Sequence, residues 1–125
     1  MAKSLKDMMD AAHAAVPRIT LAEAQAMMAQ GDVLVLDVRD PHEVEQTGKI
    51  KGAVNVSRGM LEFRADPDSP YHDKRFSRDK TVIVSCASGG RSALCGKTLK
   101  DMGYQHVFNV GGFKDWSEAG GPVEK

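Results

Sequence analysis

The sequence predicts an α/β fold with one mainly parallel central sheet flanked by helices on both faces. Two short runs, Val33-Leu34-Val35-Leu36 and Thr81-Val82-Ile83-Val84, are β-branched or aliphatic throughout and apolar on both faces. Strands covered on both sides of a parallel sheet look like this. Stretches with the 3.6-residue apolar spacing of helices alternate with them, which is the order of βαβ units. A chain of 125 residues, 42% of them hydrophobic, is also long enough to bury one core without metals or disulfides.

Taken in order, Ser4 to Ala15 has Leu5, Met8, Met9 and Ala12 on one stripe and reads as an amphipathic helix ended by Pro17. Thr20 and Glu23 form a capping box for a helix over Leu21 to Gln30, closed by Gly31. The first strand, Val33 to Leu36, follows. Pro41 to Gln46 then fits a short helix stopped at Gly48, and Ala53 to Val56 a second, shorter strand. From Ser57 to Lys80 periodicity is lost, apart from a turn of helix at Met60 to Arg64, and a segment this long without regular structure is usually functional or mobile. Thr81 to Val84 is the third strand, Arg91 to Met102 a helix with Leu94, Cys95, Leu99 and Met102 inward, and His106 to Val110 a fourth strand. A last short helix spans Gly112 to Ala119 before Gly120-Gly121-Pro122. There is no internal repeat, so the expected organisation is a helical extension over residues 1–16 and a single domain over 17–125.

Seventeen basic residues balance seventeen acidic ones, so no global field draws the chain to nucleic acid or to an anionic membrane. No apolar run approaches the roughly 20 residues that span a bilayer. Met1 to Ala15 lacks the apolar block of a secretory signal. Two cysteines, Cys86 and Cys95, are too few for a disulfide scaffold and lack zinc-ligand spacing. The expectation is a cytoplasmic domain with reduced thiols and no metal.

The chemistry is expected in Ser85-Cys86-Ala87-Ser88-Gly89-Gly90-Arg91-Ser92, between the third strand and the following helix. Open α/β sheets bind ligands outside the carboxyl ends of their strands. Gly89 and Gly90 let successive N–H groups turn inward as an anion-binding concavity, and the helix start adds its positive end. A cysteine held there has a lowered pKa and is a nucleophile. Arg91 is placed to pair with a bound oxyanion or with the thiolate. Cys95, on the inward stripe of its helix, reads as core.

These residues resemble the active-site loop of single-domain rhodaneses, the sulfurtransferase family. Cys86 to Arg91 is similar to the family's six-residue loop, with the usual small hydroxyl residue, Ser92, after it. Leu36-Asp37-Val38-Arg39 with Glu43, the segment Gly48 to Asn55, and Val110-Gly111-Gly112-Phe113 with Trp116 resemble the family's other boxes in the same order. Lys49 stands where the second box usually has His, Ser57 where it usually has Pro, and Ser57 to Lys80 is longer than in minimal members. The resemblance implies a rhodanese-like fold without a cofactor and a sulfur transfer through a persulfide on Cys86. The donor would be a small anion such as thiosulfate, and the acceptor cyanide in vitro or a thiol, small or protein-borne, in the cell. Backbone N–H groups of Ala87, Ser88, Gly89, Gly90, Arg91 and Ser92 would hold the persulfide and the donor's oxygens, helped by the Arg91 side chain. Arg39 and Asp37 are candidate pocket-rim residues, with an ion pair of Arg39 to Asp37 or Glu43 as the alternative. Lys49, Arg58, Arg64, Tyr71 and His72 read as solvated surface, with a place at the pocket mouth as the alternative, and Phe113 and Trp116 as packing.

Rival functions are a persulfide carrier or binding module fed by a protein partner, an arsenate reductase, and a phosphatase of the dual-specificity cell-cycle type. Those phosphatases carry five residues between Cys and Arg, whereas four separate Cys86 from Arg91. The expected assembly is a monomer or a weak dimer; the Met8 and Met9 stripe of the first helix reads as packing on the domain, with a dimer contact as the alternative.

Overall fold

A computed structural model describes residues 2–125; Met1, the first residue of the expected extension, lies outside the described residues. Six helices and six strands alternate along it: α1 (Leu5–Ala15), α2 (Leu21–Ala29), β1 (Val33–Asp37), α3 (Pro41–Thr47), β2 (Lys49–Ile50), β3 (Val54–Asn55), α4 (Leu61–Ala65), β4 (Thr81–Cys86), α5 (Gly90–Asp101), β5 (His106–Gly112), α6 (Phe113–Glu118) and β6 (Val123–Glu124). A single 3-10 turn, Arg58–Met60, precedes α4. The central sheet is wholly parallel, in the order β3-β1-β4-β5.

Two apolar layers cover it, sorted by the two-residue period of the strands. Leu34, Leu36, Val82, Val84 and Cys86 point to one face, where Val16, Leu61, Ala65, Cys95 and Leu99 meet them from α1, α4 and α5. Val35 and Ile83 point to the other, against Ala24 of α2 and Phe113 and Trp116 of α6. The α/β class, the parallel sheet and the helices on both faces are as the sequence predicts.

Helix α2 begins on its expected capping box, and α1 begins on one that the sequence reading did not identify. The Ser4 and Thr20 hydroxyls accept the N–H groups of Asp7 and Glu23, whose carboxylates return to the cap N–H groups. Between these helices the chain runs beside β5: Asn109 donates its N–H to the Pro17 carbonyl, and Ile19 donates to the Asn109 carbonyl, both at 3.0 Å.

Two differences from the sequence reading have physical causes. The third strand runs two residues further than its apolar run and ends on Cys86, because Ser85 and Cys86 still pair with β5 across a register shift after Val84. The Ser57–Lys80 segment carries little regular structure beyond the 3-10 turn and α4, as its sequence suggests. The second difference is an antiparallel pair of two-residue strands, β2 with β6, absent from the expected elements. It is held largely by side chains: Lys49 Nζ lies 2.6 Å from the Glu124 carboxylate, which also accepts the Gly52 N–H at 2.8 Å. Gly48, at φ +81°, lets the Glu124 carbonyl approach to where a Cβ would stand, 2.7 Å away.

Candidate active site

Cys86 is the last residue of β4, and its side chain is 1% exposed. The chain turns over it through Ala87 and Ser88. Gly89, at φ +101°, caps α5, so the first N–H groups of that helix face back at the sulfur. The Gly89 N–H donates to Cys86 Sγ at 3.0 Å and the Ser92 N–H at 3.3 Å. The Cys86 thiol in turn donates to Ser92 Oγ at 3.4 Å. Burial pushes the Cys86 thiol up, but the Ser92 hydroxyl and the N–H groups of Ser92, Gly89 and Ser88 outweigh it and hold the thiol below its ordinary value. At the other cysteine burial prevails, and no hydrogen bond opposes it. Cys95, fully buried, is pushed up to about 12 by desolvation and is inert beside Cys86.

The wall behind the loop is β5. Gly112 lies against the Ala87–Ser88 backbone: a Cβ there would stand 2.4 Å from the Ala87 carbonyl oxygen. Asn109, 3% exposed, accepts hydrogen bonds from Ser92 Oγ at 2.7 Å and the Gly111 N–H at 2.8 Å, and donates to the Gly89 carbonyl at 3.2 Å. Sequence reasoning passed over Asn109, since a lone polar residue in a strand ordinarily faces solvent.

Arg91 lies at the loop's end, but its guanidinium is engaged elsewhere. Its two terminal nitrogens donate to the two oxygens of Glu43 on α3 at 2.7 and 2.9 Å. The Glu43 carboxyl is held down at about 2, chiefly by that contact. The hydrogen bonds to Cys86 thus come from the loop and from Ser92, while Arg91 ties the loop to α3.

The two candidate rim residues separate from each other. Asp37, 1% exposed, lies beneath the surface and is not on the rim. It accepts from Arg39 through Nε at 3.0 Å and Nη2 at 2.6 Å. Arg39 also donates to Thr47 Oγ1 and the Gly48 carbonyl, both at 2.8 Å, and stacks 4.5 Å over the Phe113 ring. The pair is therefore structural, and removing one partner of such a buried pair costs about 3–5 kcal/mol. Arg39 nonetheless forms the floor of a cleft of about 220 Å³ that opens beside the loop, lined also by Glu43, Thr47, Ala87, Phe113 and Lys114. Lys114, which the sequence reading did not single out, also lines the cleft; its side chain is 81% exposed and forms a long, solvent-exposed pair with Glu118 at 3.9 Å.

Lys49, Arg58, Arg64, Tyr71 and His72 do not line this cleft. Lys49 belongs to the β2–β6 pair, Arg58 contacts Glu62 at 3.2 Å, and Tyr71 packs edge-on against Phe63. Phe113 and Trp116 pack as expected, the Trp116 indole donating to the Pro122 carbonyl at 2.9 Å.

Comparison with known proteins gives a consistent frame. The model of the rhodanese-like domain family matches residues 20–119. The chain is 36% identical over 110 residues to the thiosulfate sulfurtransferase GlpE of Haemophilus influenzae, covering 85% of this chain and 92% of that protein. It is 31% identical to the Bacillus subtilis "Putative sulfur carrier protein YrkF", of whose length it spans about half, 51%. A solved Rhodopseudomonas palustris protein of unknown function, described as a possible tyrosine phosphatase, superposes with a TM-score of 0.91 at 44% identity, covering 99% of this chain and 96% of that one. The polysulfide-sulfur transferase homodimer of Wolinella succinogenes superposes with a TM-score of 0.76 at 33% identity, over 95% of this chain and 85% of that one.

Proposed function

This chain belongs to the rhodanese-like domain family and is similar to its sulfurtransferases, and from that premise we propose that it moves a sulfane sulfur from a small anionic donor such as thiosulfate to a thiophilic acceptor through a persulfide on Cys86. The observation that carries the proposal is the cradle around Sγ: N–H groups of Gly89 and Ser92 at 3.0 and 3.3 Å, at the head of a helix, with a hydroxyl at 3.4 Å. Such a cradle favours the thiolate, and the thiolate is the nucleophile.

In the first step the Cys86 thiolate attacks the outer sulfur of thiosulfate. The Sγ–S bond forms, the S–S bond of the donor breaks, and sulfite leaves with the bonding pair. Charge balances, a monoanion and a dianion giving a persulfide monoanion and sulfite dianion. In the second step cyanide, or a thiolate, attacks the outer sulfur and Cys86 leaves as thiolate. Charge returns to Sγ in this step, and the same N–H groups stabilise it without reorganisation, as in an oxyanion hole. Two displacements on one nucleophile predict ping-pong kinetics. No general base is needed for an ionised Cys86. The exposed ammonium of Lys114, only loosely paired with Glu118 at 3.9 Å, is the cation at the cleft, since the charges of Arg39 and Arg91 are matched closely by Asp37 and Glu43.

A carrier loaded by a protein partner would use the same persulfide, and the likeness to a protein named as a sulfur carrier favours it as the second reading. A phosphatase reading is weaker, because the Arg91 fork that would clamp a phosphate is occupied by Glu43.

The test is intact-protein mass spectrometry after incubation with thiosulfate and then cyanide, on the native chain and Cys86→Ala. One added sulfur on the native chain only, discharged as thiocyanate with repeated turnover, is the expected result. Loading by a persulfidated protein but not by thiosulfate supports the carrier. Loading of Cys86→Ala overturns both.

A further inference from the structure

Asn109 has an amide whose orientation is fixed by two backbone groups. The Gly111 N–H can only donate, so the atom 2.8 Å from it is Oδ1; the Gly89 carbonyl can only accept, so the atom 3.2 Å from it is Nδ2. Oδ1 lies 2.7 Å from Ser92 Oγ and cannot donate, and neither can the Gly89 carbonyl, so the Ser92 hydroxyl proton is turned toward these two acceptors, with the shorter contact to Asn109. Ser92 Oγ also lies 3.0 Å from the Gly89 carbonyl and 3.4 Å from Cys86 Sγ. With that proton on Asn109, the Cys86 contact is made by its own S–H, which is the arrangement of a neutral thiol. Once Cys86 ionises, one hydroxyl proton faces three acceptors.

We propose that Asn109 is a positioning residue for Cys86: it holds the Ser92 hydroxyl proton while the sulfur is neutral and releases it to Sγ when the sulfur carries charge. Its place in a reaction cycle rests on the sulfur transfer proposed above. Charge sits on Sγ before attack on the donor and again as Cys86 leaves, and moves to the outer sulfur in between. A hydroxyl that turns by rotation about one bond follows that alternation. The backbone N–H groups of Gly89 and Ser92 hold Sγ throughout, and Asn109 steadies both through the Gly89 carbonyl and the Ser92 side chain.

The other charged or titratable groups around Cys86 are Arg91 and Cys95 on α5, Glu43 on α3 and Asp37 at the end of β1. Arg39 is paired with Asp37, Arg58 with Glu62, and Arg18 lies beside Gly89 and Gly111. None of them hydrogen-bonds the Asn109 or Ser92 side chain, so a shift that depends on both residues together reports the hydroxyl.

The experiment reads Cys86 ionisation directly, independently of any sulfur transfer. The rate of iodoacetamide alkylation of Cys86 is followed against pH by peptide mass spectrometry on the full chain, for the native protein, Asn109→Ala, Ser92→Ala and the double variant. Asn109→Ala should lower the apparent pKa by about one unit, a tenfold gain in the thiolate ratio. Ser92→Ala should raise it, and Asn109→Ala should have no effect in the Ser92→Ala background. An equal shift in both backgrounds, a rise, or no shift in either overturns the proposal. If Asn109→Ala does not fold, Asn109→Asp decides. It keeps an acceptor for Ser92 and Gly111 and should raise the pKa more with Ser92 present than absent; an equal rise overturns the proposal. Since sulfur loading is not read, failure here leaves the sulfur-transfer reading standing, and failure of sulfur loading leaves this one testable.

Discussion

Gly112 offers a way to move the Cys86 cradle without touching any group in it. Its backbone, φ −83° and ψ 144°, suits alanine, so Gly112→Ala introduces no conformational strain. The added Cβ, however, would stand 2.4 Å from the Ala87 carbonyl oxygen and 3.1 Å from both the Ala87 carbonyl carbon and Ser88 Cα. All three are backbone atoms, with no side chain to swing aside. Reaching ordinary contact at 3.4 Å requires a displacement of about 1 Å. Gly112 is paired with Cys86 in the sheet, so the shift falls on the Ala87–Ser88 turn and on the Gly89 N–H behind it. A 3.0 Å bond to sulfur lengthened by that much stands at about 4.0 Å, the outer limit of an N–H···S contact, and loses most of its strength. A hydrogen bond to a charged group contributes about 1.5–3 kcal/mol, and one pKa unit corresponds to about 1.4 kcal/mol. The Cys86 pKa should therefore rise by about one to two units, and alkylation at a pH below it should slow roughly 10- to 100-fold. Overpacking costs about 1–3 kcal/mol of stability, which an ordinary domain survives. The assay is the pH profile of Cys86 alkylation, with a thermal melt to confirm folding. A folded Gly112→Ala protein with the native profile would refute the argument that the turn's N–H groups set the thiol's acidity.

The remaining predictions concern the charges around the loop. Glu43→Gln should cost only about 0–1 kcal/mol at neutral pH, because the Arg91 pair is partly solvated. Glu43 is depressed to about 2 in the folded chain, so the pair's contribution is complete above the ordinary carboxylate range and is lost as pH falls toward 2. The melting difference between native and variant should accordingly vanish at the acid end; a difference that persists there would assign it to something other than the ion pair. Lys114→Glu should lower kcat/KM for an anionic donor about tenfold at low ionic strength and much less in high salt, as electrostatic steering requires. A loss independent of salt would instead mean direct contact with the bound donor.

Strands β1 and β4 were legible because a doubly covered strand leaves a continuous apolar run, and the capped start of α2 because its partners lie three residues apart. The loop was legible for a related reason: the cysteine, the glycines and the helix start are contiguous. What escaped detection is non-local. Two-residue strands have no period to detect, and β2 finds β6 some 75 positions away through Lys49 and Glu124. Arg91 looked free because its partner lies 48 positions back. The sequence left Arg39 open between a rim position and an ion pair; Asp37, two residues away, settles the pairing, and the cleft above still has Arg39 for its floor. Asn109 is turned inward where β4 and β5 slip register beyond Val84, next to a Gly111 at φ +90°, and no pattern of apolar residues encodes that slip.

The stretch from Pro17 to Ile19 runs along the outer side of β5 and exchanges two hydrogen bonds with Asn109. A terminal strand without such cover offers its N–H and C=O groups to any other chain, the usual route to edge-to-edge association. Here the cover is fastened at the residue whose side chain reaches the Cys86 loop. The seal against unwanted neighbours and the brace of the reactive centre are thus one attachment. Mechanical load on the segment leading into α2, from a fused sequence or a docked protein, is delivered first to Asn109. A fused sequence or a docked protein that displaces the Pro17–Ile19 segment is therefore expected to shift Asn109 and, with it, the loop around Cys86.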